Sequence, residues 1–236
     1  MIILILLLIV ILIWIVIYPG TDYFTRYLDR QVLKRGRKEQ TGLLKIALTF
    51  DDGPDSCYTP QLLEILKLFN IRATFFLVGL KVEQNPGLVM KIAEAGHEIG
   101  LHTYKHQHAY LMGFFQSLES VRLGKEVLEK ILGKSIRWLR PPWGALNLFQ
   151  RYAIKKAGLK TVLWSANAKD WKTATGAAKI VTCLKWKVTD NAIIVLHDSG
   201  GEQNAPVEML LALPEVISGF QKAGFRFVTL SDSIEE

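Results

Sequence analysis

From Gly42 onward the sequence keeps one rhythm, and that rhythm leaves few folds open. Short apolar, β-rich runs alternate with longer stretches of helical period. The runs cover residues 45–50, 73–78, 98–101, 137–139, 161–164, 192–196 and 225–228. Between them, 59–69, 86–95, 114–132, 146–157, 177–188 and 206–223 carry helical spacing. Their ends are punctuated as helices require. Pro60 and Pro86 stand at starts, and Gly96, Gly133, Gly158 and Gly224 follow ends. Strand–helix alternation implies a parallel sheet with right-handed crossovers. A run such as AIIVL, apolar throughout, suits a strand covered on both faces. Seven units can close into an irregular barrel or form an open doubly wound sheet. The first run ends in DDGPDS, with acids where a nucleotide fold would offer a glycine-rich phosphate loop. That lowers the case for a dinucleotide fold. At 236 residues, half of them hydrophobic, one barrel-sized domain accounts for the chain after residue 41.

The N-terminus follows a different rule. MIILILLLIVILIWIVIY has no charged side chain, and as a helix it spans about 25 Å, enough to cross a bilayer core. No basic n-region or small-x-small cleavage site marks it as a signal peptide, so 1–18 reads as a single-pass anchor. Residues 19–41 read as a basic juxtamembrane linker in contact with the membrane surface, and 42–236 as the single large domain. Residues 1–40 hold six Lys/Arg against three acids, +3 of the total +7. The basic flank after the apolar run favours a cytoplasmic domain by the positive-inside rule. No Arg/Lys-plus-aromatic stripe of the nucleic-acid kind is present, so no nucleic-acid partner is expected. Two distant cysteines, Cys57 and Cys183, make no disulfide scaffold and are expected as free thiols.

The unusual polar residues all fall after strands. Asp51 and Asp52 follow the first, His102 and His106 the third, Arg140 the fourth, Asp170 and Trp171 the fifth, and His197 and Asp198 the sixth. In parallel α/β architectures active sites assemble at that end. His102 and His106 are four apart, which in a helical turn puts both imidazoles on one face. With one carboxylate from another strand end they make a two-His-one-carboxylate set suited to a divalent metal. One member of the Asp51–Asp52 pair can then be a ligand while the other serves as a base. His97 and His108 read as structural, Asp55 and Asp198 as capping residues, and Trp138 and Trp164 as core.

With these residues in view, the chain resembles the polysaccharide deacetylases, the NodB-homology domain of carbohydrate esterase family four. TFDDGP, HTYKH, RPPWG, KDW and VLHD resemble the family's five motifs, in the family's order, across about residues 44–230. The resemblance implies a distorted (β/α)7 barrel. It implies Asp51 as catalytic base and Asp52, His102 and His106 as metal ligands. Arg140 would orient the base, and the backbone N–H of Trp143 would help hold the oxyanion. Asp170 would tune His197, the general acid, and Leu196 would wall the acetyl pocket. Apart from the resemblance, Trp171 is expected to line the cleft because it adjoins Asp170 at a strand end. Three departures stand out: Gln107 where proline is usual, Asn167 for the first acid of a D-x-x-D-W motif, and Trp143 where Tyr or Phe is common. The expectation is a membrane-anchored hydrolase that removes N-acetyl groups from N-acetylglucosamine-type sugars in a polysaccharide, oligosaccharide or lipid-linked glycan. Zn2+ is the expected cofactor, with Co2+ or Ni2+ as alternatives. The resemblance favours an extracytoplasmic domain, against the charge flank. The rival readings are hydrolysis of another amide or ester on the same scaffold, and an inactive metal-binding glycan module.

Overall fold

Strand β1 (Leu44–Asp51) organises the sheet, and its alternation decides what lies on each face. Ile46, Leu48 and Phe50 enter the main apolar core beneath the helices. Ala47 belongs to a second, smaller core with Phe76, Trp138, Val162, Ile193 and Leu230, on the inner face. Thr49 and Asp51 share that inner parity. The computed structural model describes residues 2–37 and 42–234.

The N-terminal helical elements α1 (Ile2–Ile15) and α2 (Thr21–Tyr23) precede β1. After β1 come α3 (Tyr58–Leu68), β2 (Thr74–Leu77), α4 (Gly79–Gln84), α5 (Pro86–Glu94) and β3 (Glu98–Leu101). Then follow α6 (Phe114–Leu132), β4 (Trp138–Leu139), α7 (Leu148–Lys156), β5 (Lys160–Thr161) and β6 (Ala166–Asn167). The last elements are α8 (Ala177–Lys187), β7 (Ala192–His197), α9 (Ala205–Lys222) and β8 (Phe225–Val228). All paired strands run parallel in the order β5-β4-β3-β2-β1-β7-β6. β8 pairs with the first half of β1, Leu44–Ala47, while β2 pairs with the second half, Thr49–Asp51. The architecture is a distorted (β/α)7 barrel, not an open doubly wound sheet.

Local chemistry explains the helix ends. The Asp55 carboxylate accepts from the amides of Cys57 and Tyr58 at 2.8 and 3.0 Å, capping α3 as expected. Asn147 accepts from the Gln150 amide at the start of α7. Gly133, at φ 63, closes α6 in the left-handed region that glycine enters without a Cβ penalty. Two elements depart from expectation. α4 is an additional short helix, and the fifth run gives β5 at 160–161 and a separate β6 at 166–167. The reason for the β5–β6 split lies at the N-terminus. The Leu33 amide donates to the Thr161 carbonyl at 3.0 Å, and the Leu163 amide donates to the Leu33 carbonyl at 2.8 Å. Arg35 then bridges antiparallel to Ala192. Among the described residues β5 and β6 do not pair; residues 32–36 fill that seam.

The stretch expected as a linker is thus built into the domain as far as residue 37, and residues 38–41 lie outside the described part. The N-terminal helix runs on past residue 18, from Ile3 to Leu28, with a mean hydropathy of 3.0 in its most apolar window and none of that window buried. By length and composition it can cross a membrane, as a signal sequence also can. Pro19 has no amide to give, and the turns at Val16–Gly20 and Phe24–Leu28 widen to π-helical form.

Candidate active site

The inner parity of β1 delivers Asp51, 2 % exposed, to the mouth of the barrel. Arg140, fully buried, reaches it from the end of β4: Nη1 donates to Asp51 Oδ1 and to Thr49 Oγ1, each at 2.7 Å, and Nη2 donates to the Leu163 carbonyl at 3.1 Å. The guanidinium lies 4.2 Å from the Phe76 ring centroid. Arg140 therefore touches the carboxylate from behind and does not line the cleft.

Asp52, next in sequence, takes φ 74 and turns the other way. Its Oδ1 lies 3.1 Å from His102 Nε2 and 2.9 Å from His106 Nε2. The two histidines converge through a loop, not the helical turn that their spacing suggests: Thr103 and His106 both adopt positive φ, 63 and 52°. Non-glycine residues in this region store about 1–3 kcal/mol each and persist only where surrounding contacts hold them. Gly200, at φ +71, passes so close that a Cβ there would stand 2.5 Å from Asp52 Oδ2. Burial pushes the Asp52 carboxyl up, and the two imidazoles more than reverse this, holding it well below the ordinary carboxylate range.

These three side chains fit a divalent cation. Their donor atoms all lie within 4.8 Å of one another. Tetrahedral ligands at zinc-like bond lengths stand about 3.4 Å apart. His102 Nδ1 sits 2.7 Å from the Arg140 carbonyl, which only accepts, so Nδ1 carries the proton. In neutral His102 that leaves the Nε2 lone pair facing the Asp52 carboxylate, an arrangement that a shared cation stabilises. His108 is not part of the group; its Nδ1 accepts from the Tyr110 amide.

His197 stands across the cleft at the end of β7. Asp170, buried behind it, accepts from the His197 amide at 2.7 Å and lies 3.1 Å from Nδ1. Burial alone would lower the imidazole pKa. The Asp170 carboxylate, with Asp51 and Asp52 further off, outweighs that and raises it to about 9. Trp171 lies edge-on to His197 with centroids 5.3 Å apart, and Trp143 leans on His106 at 4.6 Å.

Asp51, Asp52, His102, His106, Trp143, Trp171 and His197 thus line one cleft of about 360 Å³, together with Trp164 and Gly201. Two expectations need correction. Trp164, expected in the core, is a cleft wall. Leu196, expected as a pocket wall, is 1 % exposed within the main core on the opposite face of β7 from His197, because successive side chains alternate. Val195, two residues before His197, shares its face. Asp198 caps nothing after His197. It is buried against α3, where Thr59 Oγ1 donates to it at 2.5 Å, and burial raises its pKa to about 7.

With this geometry fixed, comparison with known proteins is decisive. The family model described as polysaccharide deacetylase matches residues 38–162. The chain belongs to the polysaccharide deacetylase family. It is 38 % identical over 189 residues to a peptidoglycan-N-acetylglucosamine deacetylase of Bacillus cereus, covering 79 % of this chain and 86 % of that protein. It is 32 % identical over 188 residues to the peptidoglycan-N-acetylglucosamine deacetylase PgdA of Listeria monocytogenes, covering 80 % of this chain but only 38 % of that longer protein. Among solved structures, a peptidoglycan N-acetylglucosamine deacetylase in complex with 4-naphthalen-1-yl-N-oxidanyl-benzamide superposes with a TM-score of 0.80 at 29 % identity, covering 90 % of this chain and 95 % of that one. The family relation supports a hydrolase acting on N-acetyl groups.

Proposed function

We propose that the chain is a membrane-anchored, metal-dependent N-deacetylase of N-acetylglucosamine-containing glycans, peptidoglycan foremost. The observation that carries this reading is the meeting, in one cleft, of a two-His-one-Asp donor set with one carboxylate fixed by a buried arginine and one histidine fixed by a buried aspartate. Asp52, His102 and His106 would hold the metal, with Zn2+ as the default and Co2+ or Ni2+ as alternatives. When bound, a divalent metal supplies Lewis acidity, lowering the pKa of water and polarising a carbonyl oxygen.

The chain's own residues supply the rest. Asp51, held by Arg140, takes the proton from the attacking water. The Trp143 backbone N–H donates to the oxygen as it gains charge. His197, protonated at neutral pH, gives its proton to the departing amine. The C–N bond breaks, and acetate and a free sugar amine result. Three indoles, Trp143, Trp164 and Trp171, offer flat apolar walls to the faces of a sugar ring. They favour a glycan over a small non-sugar amide.

The test is acetate release from N-acetylglucosamine oligomers and from peptidoglycan by the full chain in detergent. Activity should vanish with chelator, return with zinc or cobalt, and fall about 10²–10⁴-fold in Asp51→Asn. Metal bound at one equivalent without acetate release from either substrate would reject the deacetylase reading.

A further inference from the structure

Neither Asp22 nor Arg26 lines the cleft, yet together they grip the loop that forms its rim. Arg26 Nη2 donates to the Trp143 carbonyl at 2.9 Å, and Asp22 Oδ1 accepts from the Leu146 amide at 3.2 Å. The two side chains are one helical turn apart and are themselves paired, Arg26 Nε to Asp22 Oδ2 at 3.0 Å. We propose that this pair, at the polar end of the N-terminal helix, is a positioning clamp for the Pro141–Leu146 loop. The catalytic geometry would then depend on the element that anchors the chain. The proposal rests on the deacetylase reading for its consequence in rate, but not for its structural content.

The loop needs such a clamp. Trp143 holds φ 56, a conformation that neighbouring contacts must impose on a non-glycine residue. The loop's own bonds, Gly144 N to Pro141 O and Ala145 N to Pro142 O, at 2.9 and 3.0 Å, close the turn but do not fix it to the barrel. Arg26 holds the turn from within, at the Trp143 carbonyl, and Asp22 holds it just beyond its end, at the Leu146 amide. Gly144, at φ +65, leaves them room: a Cβ there would stand 3.3 Å from Arg26 Nη1 and 3.0 Å from the Trp164 ring.

The clamp is itself anchored. Tyr18, one turn before Asp22, meets the rings of Tyr110 and Phe149 at 5.8 and 6.4 Å. Just beyond the helix, Asp29 pairs with Arg151 on α7, and Leu33 enters the sheet seam. Helix, clamp and seam strand therefore dock as one body. Asp22 and Arg26 are 17 and 30 % exposed in that setting, and the Asp22 contacts to Arg26 and to the Leu146 amide are partly shielded from water, while the Arg26–Trp143 bond lies at the surface.

The experiment compares the full chain in detergent with Asp22→Asn, Arg26→Ala and Arg26→Lys. Three quantities are read: kcat and KM on acetylated glycan, metal stoichiometry, and amide hydrogen exchange over 141–147 by mass spectrometry. Arg26→Ala should lower kcat about 10- to 100-fold, as loss of a supporting partner typically does, with metal stoichiometry unchanged and KM moved less than kcat. Exchange of the Leu146 region should accelerate in Arg26→Ala and Asp22→Asn. Arg26→Lys should recover part of kcat, since one ammonium can reach the carbonyl or Asp22 but lacks the fork that serves both. Arg122→Ala, which breaks an exposed ion pair on α6, should change nothing. Unchanged loop exchange in both Arg26→Ala and Asp22→Asn would overturn the clamp. So would recovery from membranes of a processed chain lacking residues 22–26. If the wild type releases no acetate, the deacetylase reading fails while exchange still decides the clamp.

Discussion

Arg140 is the residue whose replacement should cost the fold most for the least change in shape. It is fully buried, and Asp51, its partner at 2.7 Å, is 2 % exposed. Replacing Arg140 with methionine keeps an unbranched apolar side chain of similar length but removes the guanidinium that lies over Phe76 and Trp164, leaving a buried carboxylate with no cation. Breaking a buried pair from one side costs about 3–5 kcal/mol, because the surviving charge stays desolvated. Asp51→Asn should cost a similar amount by stranding the guanidinium. In the double variant Asp51→Asn/Arg140→Met no charge remains. If the penalty is mainly the stranded charge, the double variant should be no worse than either single one, giving a coupling of about 3 kcal/mol or more. Domains are stable by about 5–15 kcal/mol, so each single variant should still fold, with a clearly lowered midpoint. Urea unfolding of the full chain in detergent, read by tryptophan fluorescence, measures all four midpoints and slopes. Simple addition of the two single losses would refute the reasoning, since Arg140 would then be acting through packing and not through its partner.

Three other outcomes follow from the same geometry. His97 is 6 % exposed and its Nδ1 accepts from the Ala73 amide; burial first, and Arg72 second, lower its pKa to about 4. Above pH 6.5 this has no effect on stability. Between about 6.5 and 4 the unfolded chain takes up a proton that the native one refuses, removing about 3 kcal/mol, and His97→Gln should flatten that part of the urea-midpoint profile. Asp170→Asn removes the carboxylate that outweighs burial at His197, so the alkaline limb of kcat/KM, governed in the wild type by an acid of pKa about 9, should move toward neutrality; an unmoved limb would remove His197 from the role of acid. Gly200→Ala places a Cβ 2.5 Å from Asp52 Oδ2 at φ +71, and equilibrium dialysis should find weaker zinc binding together with a lowered Tm.

The fold was largely legible because its signals are periodic. Six of the seven apolar runs coincide with a strand over most of their length, the run at 161–164 shares only Thr161 with one, and α6 and β8 match their expected spans residue for residue. What escaped leaves little trace in side-chain type. The seam closed by residues 32–36 is made by backbone groups, such as the Leu33 amide and carbonyl, and a sequence labels Leu33 only as apolar among basic neighbours. The same pairing explains why the run at 161–164 is not one strand: Leu163 gives its amide to the N-terminal segment. α4 has only six residues, too few to establish a period.

At the site, residue types were legible and directions were less so. Strand parity could have corrected one error from the sequence alone. In AIIVLH, whatever face His197 takes, Leu196 must take the other and Val195 the same, so the apolar residue on the acid's face is Val195 and not Leu196. The histidine pair shows the opposite case. Spacing of four suggested a helical face, but the convergence on Asp52 depends on Thr103 and His106 in the left-handed region, which residue type does not announce. Asp52, Trp143 and Lys169 share that conformation. Positive φ therefore recurs in the loops around the cleft, after four different strands. The barrel sets where these loops begin, while contacts between loops set where their side chains point. Asp22 and Arg26 belong to that second layer: as an i,i+4 pair they look like an ordinary helical ion pair, and only the folded chain brings Trp143 and Leu146 against them.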